Sequence, residues 1–216
     1  MTIASTTKIR EKKRRFLERE QRIIDVALEL LLRDGIEQVT VSAIADQVGI
    51  GKGTVYKHFQ SKSELLVRIV LDYETHIAAN LKIGVEATEA GDPGATVKAY
   101  FNSRLSNPGL DRLTQQLELR LERVPQVAEQ MHELHQIRRA TTDGLNSIIA
   151  KLIDRGVLED VPPHFHYLAS WALAQGAVDV CFNKGLGDQF NDHEELLRFI
   201  IGIGVTMGNK GQLRDV

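Results

Sequence analysis

Between Lys8 and Arg22 the chain places eight basic side chains, Lys8, Arg10, Lys12, Lys13, Arg14, Arg15, Arg19 and Arg22, interleaved with only Glu11, Glu18 and Glu20. Ammonium and guanidinium groups at this density can neutralise phosphates, and a basic arm ahead of a folded domain can follow a nucleic-acid backbone or enter a minor groove. The same residues would also suit a solvated helical face or a frayed arm. The overall charge distribution favours the first use. Residues 1–62 carry 12 Lys+Arg against 8 Asp+Glu, a net of +4, whereas the remainder holds 15 against 21, a net of −6. A nucleic-acid-facing head on a body with another task is what this asymmetry implies.

Catalytic chemistry is poorly served. The one cysteine, Cys181, falls mid-helix among apolar residues, where a thiol is usually inert. It also excludes an internal disulfide framework and fits a reducing cytoplasm. His132 and His135 lie three apart without a companion ligand pattern, so no metal is expected. There is no Ser/His/Asp elbow and no phosphate loop, and neither an enzyme nor a cofactor is implied. The first residues have charge but no apolar run behind them, which argues against a secretory signal. The most apolar stretch, residues 199–208, is too short to span a bilayer, so no membrane partner is expected.

The elements that would carry the head follow from periodicity and caps. Residues 1–7 are polar and without period, and read as disordered. Phe16, Ile23, Ala27, Leu30 and Leu31 give a first helix an apolar face that ends at Gly35, a left-handed cap. Thr40 is an N-cap for a second helix. Ala45, Gly49 and Val55 then form a corner: a small residue where two helices cross, a glycine for the reversal, and a branched side chain to plug it. These offsets fit a helix-turn-helix or an ordinary helical hairpin. A third helix is expected over about 52–58, and Ser61-Lys62-Ser63-Glu64 fits a capping box opening a long fourth helix. Asp92-Pro93 should open the fifth, Asn107-Pro108-Gly109 should stop it, and Pro125 marks a boundary. Pro162-Pro163 introduces the eighth helix and Asp192 caps the ninth. The fold class is therefore all-α, with a head over residues 1–65 and a larger helical bundle over 66–216.

Residues 21–70 resemble the N-terminal domain of TetR-family transcriptional regulators. The resemblance rests on Asp34-Gly35, Val39-Thr40-Val41, Ile44-Ala45, Val48-Gly49-Ile50, the run from Lys52 to Phe59 (KGTVYKHF), and Ser61-Lys62-Ser63-Glu64-Leu65-Leu66. It covers about the first third of the chain; beyond that it rests on length and helix count. What it implies is a homodimer whose third helices enter the major groove of near-palindromic double-stranded operator DNA. Contacts would come from Ser42, Lys52, Gly53, Thr54, Tyr56, Lys57, His58 and Lys62. Lys52 and Lys57 can meet phosphates or guanine edges, Thr54 a thymine methyl, and Lys62 a phosphate. Tyr56 and His58 match the family's contact positions, and Gly53 would let backbone approach DNA closely. Two departures weaken base readout: Gly51 stands where Ser or Thr is frequent, and Ser42 where a longer polar residue is.

For the body, the resemblance implies a small-molecule effector pocket and a dimer interface through the last two helices. Ala169, Ala172, Ala174, Gly176 and Ala177 permit close helix approach, and Leu196, Leu197, Phe199, Ile200, Ile203 and Val205 are more apolar than one helix usually buries. These residues would equally serve a monomer core. Polar or aromatic pocket candidates are Tyr100, Phe101, Arg104, Arg120, His135, Arg139, Trp171 and Gln175. The three arginines would suit an anionic effector if they point inward, and the acidic body a cationic one. The function implied is a cytoplasmic, ligand-responsive repressor. The competing reading is a helical adaptor whose corner no longer serves DNA.

Overall fold

A computed structural model describes residues 3–187 and 193–211, and among these the only extended feature is an isolated antiparallel bridge between Leu158 and Asn209. The chain forms two compact units: Met1–Val70 with Gln116–Gln130, and Leu71–Gln115 with Met131–Val216.

In the first unit, α1 spans Ile3–Asp34. Residues 3–7, read from sequence as disordered, are its first turns, and the basic run from Lys8 is regular helix rather than a frayed arm. Ile23, Ala27, Leu30 and Leu31 are buried, as the periodicity requires, while Phe16 is 42% exposed. Gly35 ends the helix at φ 84°, with its N–H on the Leu31 carbonyl. Only a residue without Cβ takes that conformation at little cost.

Helix α2 (Val41–Val48) starts where the Thr40 hydroxyl accepts the Ala43 N–H at 3.1 Å. It stops at Gly49, φ 79°, whose N–H reaches the Ala45 and Asp46 carbonyls. Helix α3 covers only Lys52–Val55, with Tyr56 to His58 in the turn that follows, so it is shorter than the expected 52–58. Gly51 at its N-cap offers no side-chain acceptor, which leaves the first turn's N–H groups without that support. Ala45, Val55 and Phe59 are buried and hold the corner.

Helix α4 runs Lys62–Glu89. Ser61 caps it by accepting the Glu64 N–H at 3.1 Å, and the Glu64 carboxylate turns back to the Gln60 N–H, one residue earlier than a standard capping box.

The remaining helices are α5 (Ala95–Leu105), α6 (Pro108–Leu121), α7 (Ala128–Asp154), α8 (Pro163–Phe182), the single turn α9 (Lys184–Gly187) and α10 (His193–Thr206). Asp92-Pro93 does not open α5. Asp92 instead accepts the Gly94 N–H in the preceding turn. The Asn107 side chain accepts the Leu110 N–H at 3.0 Å, so the Asn-Pro-Gly that closes α5 also starts α6, with Pro108 in its first turn. Asp192 lies outside the described residues.

The body's core gathers Ile77, Leu81, Tyr100, Phe101, Leu105, Leu145, Ala174, Ala177, Val178 and Leu197. Phe101 is fully buried against Gly204, where a Cβ would stand 2.2 Å from its ring. Ala174 and Ala177 therefore serve the core of a single chain. Along α8, Phe165, Leu168, Ala169, Ala172 and Gly176 are exposed, as are Phe199 and Ile203 on α10.

Candidate functional site

The outward side of the head around α3 presents Lys52, Gly53, Tyr56 and Lys57, all exposed, with Thr54 and Ser42 partly covered. The Lys52 ammonium stands 6.0 Å from the Tyr56 ring centroid, close enough for the ring face to hold it loosely in place. A Cβ on Gly53 would meet nothing within 4 Å, so the position is open to an approaching surface rather than to packing. Lys52 and Lys57 give this side of the corner two exposed cations.

His58 and Lys62, the other two candidates, are used differently. The His58 side chain is 1% exposed: its ring stacks on Phe16 at 4.0 Å and Nδ1 stands 3.5 Å from a Glu20 carboxylate oxygen. It is an internal prop between α1 and the turn after α3, not an outward contact. Lys62 spends its ammonium on the chain itself, donating to the carbonyls of Ile36 (3.1 Å) and Val39 (2.5 Å). Burial pushes this lysine below its ordinary range, with nearby Glu37 acting against the shift. The ammonium ties down the loop after α1 by satisfying carbonyls that lie beyond any helix. Arg120, expected in the body, belongs to the head unit, where it pairs with Glu37.

In the body, Arg104 is buried and fully engaged. Its Nε and Nη2 donate to the two oxygens of Asp111 at 2.9 and 2.8 Å, Nη1 donates to the Tyr100 hydroxyl at 3.2 Å, and Nη2 also reaches Gln175 at 3.3 Å. Asp111 further accepts from the Tyr73 hydroxyl (2.5 Å) and the Gln115 amide (2.6 Å). Burial opposes the guanidinium charge, but the hydrogen bonds and the Asp111 carboxylate raise its pKa, so Arg104 stays charged. Burial, then Asp111, drives the Tyr73 phenol upward, and burial holds Tyr100 at about 12 against the lowering effect of Arg104. Both phenols therefore remain donors at neutral pH. Arg104 is thus not a free cation for an anionic effector.

Beside this network lies a cavity with an empty volume of about 650 Å³ including its mouth. Val97, Leu145, Ile148, Ile149, Leu152 and Met207 supply much of its apolar wall, and Thr96, Tyr100, His166, Tyr167, Ser170 and Asn209 its polar groups. Among the described residues no Lys, Arg, Asp or Glu lines it. Of the sequence candidates only Tyr100 does. Phe101 is core, Gln175 joins the Arg104 network, and Trp171, His135 and Arg139 are exposed away from this wall. Burial also pushes the Cys181 thiol up, which keeps it protonated.

Residues 23–69 match the family model described as bacterial regulatory proteins, tetR family. These residues form a TetR-family N-terminal domain. A curated HTH-type transcriptional regulator of Staphylococcus aureus (strain bovine RF122 / ET3-1) is 39% identical over 54 residues, which is 25% of this chain and 29% of the relative. One from strain USA300 is 40% identical over 53 residues, 24% and 29% of the two chains. The chain thus aligns with under a third of the length of these relatives. The fold extends further. A tetR-family regulatory protein from Rhodococcus RHA1 superposes with TM-score 0.69 at 21% identity, covering 90% of this chain and 98% of that one. The ketosteroid transcriptional regulator KstR2 of Mycobacterium tuberculosis gives 0.68 at 18%, covering 90% and 96%.

Asp111, Tyr73 and Gln115 escaped the sequence reading, as did the cavity's Thr96, His166, Tyr167, Ser170 and Asn209. Asp111 follows Arg104 by seven positions across a helix break, a spacing that no periodicity marks.

Proposed function

We propose that this TetR-family chain is a ligand-responsive transcriptional regulator, acting as a repressor that leaves its operator when a small molecule occupies the body. The observation that carries this reading is the exposed set Lys52, Tyr56 and Lys57 on a corner with family-type caps. Among the described residues its cations have no internal acidic partner, unlike Arg104 in the body. The exposed basic length of α1 would add phosphate contacts outside the major groove.

A homodimer suits near-palindromic DNA, and the exposed apolar stripes of α8 and α10 offer it a four-helix interface. Helix α4 begins in the head unit and ends in the body unit, so it is the element through which an effector would bias head spacing.

Selection of bound sequences from a random DNA pool tests this. A palindromic consensus bound with a steep salt dependence supports the regulator. No enrichment, or affinity indifferent to salt, would instead favour the adaptor reading.

A further inference from the structure

The body cavity carries information about the chemistry of what fills it. Its wall holds no Lys, Arg, Asp or Glu among the described residues, and the buried guanidinium of Arg104 is already neutralised by two bonds to Asp111. A ligand carboxylate placed here would lose its water and find no unspent cation, and a ligand amine would find no unspent carboxylate. The space lies along a largely aliphatic wall, which suits an apolar group.

Tyr100 belongs both to this wall and to the Arg104 network. Its oxygen accepts from Arg104 at 3.2 Å, so its hydroxyl hydrogen is left to donate elsewhere, and among the described residues no acceptor takes it. Accepting a charged donor polarises the O–H and makes it a better donor in turn. Three of the other polar groups are occupied, while among the described residues no hydrogen bond engages the Tyr167 hydroxyl or the Asn209 side chain. Thr96 pairs with Thr88 at 2.7 Å, His166 Nε2 is bound to the Glu159 carbonyl at 3.0 Å, and Ser170 donates to the His166 carbonyl.

We propose that the cavity binds an uncharged and largely apolar molecule bearing an acceptor oxygen of the ester, ketone or ether kind, with the Tyr100 hydroxyl as its anchoring donor. This rests on reading the body as an effector domain and gives that effector a chemical class. It replaces both the anionic ligand that the arginines suggested and the cationic one that the acidic composition suggested. Occupation of Tyr100 would be felt through Arg104 and Asp111 at Tyr73 on α4, because one hydrogen-bond chain links all four.

The test is calorimetric titration of the full chain, without DNA, using methyl decanoate, decanoate and decylamine dispersed below their aggregation limits. The ester should bind at least tenfold more tightly than either charged analogue. Tyr100→Phe should weaken the ester by roughly tenfold, the size of one lost hydrogen bond, and leave binding of the matched alkane undecane unchanged. Ile149→Trp, which fills the slot from its half-buried wall, should abolish binding of all four probes while its unfolding transition stays cooperative. Equal or tighter binding of decanoate or decylamine overturns the proposal, as does an ester affinity indifferent to Tyr100→Phe, or no binding by any probe. Because DNA is absent, these outcomes are independent of the operator selection. Failure there removes the regulator reading and leaves the ligand class standing.

Discussion

The head and the body both carry arginines, lysines and tyrosines, yet they use them in opposite ways. Around α3 the polar side chains point out and are left to meet something else; Lys57 is exposed and Tyr56 is 43% exposed. In the body the same chemistry is turned inward, and Arg104, Asp111, Tyr73, Tyr100 and Gln175 are joined in one hydrogen-bond network. The lesson is that a cation becomes a binding group only where the fold leaves it unspent. Lys62 makes the point within the head itself, since it lies only five residues from Lys57 but is committed to two backbone carbonyls.

That contrast can be broken most forcefully at Asp111. Asp111→Ala strands the buried Arg104 charge, and loss of such a partner costs about 3–5 kcal/mol. The midpoint of urea unfolding should fall accordingly, and a paired replacement, Arg104→Met with Asp111→Leu, should recover most of it. An Asp111→Ala midpoint equal to the parent's would mean the pair is not the structural unit described. Next in size is Gly204→Ala, whose new methyl would meet the Phe101 ring. Overpacking of this kind costs about 1–3 kcal/mol and should appear as a lower thermal midpoint.

Thr40→Ala removes the cap of α2 at a cost of about 1 kcal/mol, readable in the same unfolding assay. The smallest stability effect belongs to Lys57→Ala, which should leave the midpoint alone. It should weaken operator binding and flatten the logarithmic salt slope by about 0.9, one phosphate's worth. Lys62→Met should do the reverse, lowering stability while keeping the salt slope of what still folds. If the two lysines behaved alike, the distinction between spent and unspent cations would not hold.

Much of the head was readable in one dimension because its signals are local. A glycine at φ 84° or 79° and a hydroxyl three residues from the N–H it caps are short-range geometries that a sequence states directly. The reading failed where a neighbour from another element decided the outcome. Phe16, counted toward an apolar helix face, covers the His58 ring instead. In the body the residue types named as pocket candidates were reasonable, but only Tyr100 lines the cavity.

The sequence by itself settled the helical class, the caps and corner of the head, and the charge asymmetry between head and body. Those follow from periodicity and from conformations that few residue types can take. Tertiary structure alone decided which charges are free. Pairing Arg104 with Asp111, closing Lys62 onto the Ile36 and Val39 carbonyls, and gathering Thr96, Tyr100, Tyr167 and Asn209 around one cavity all need side chains brought together across helix breaks. No local propensity encodes those meetings; they follow from how the helices pack.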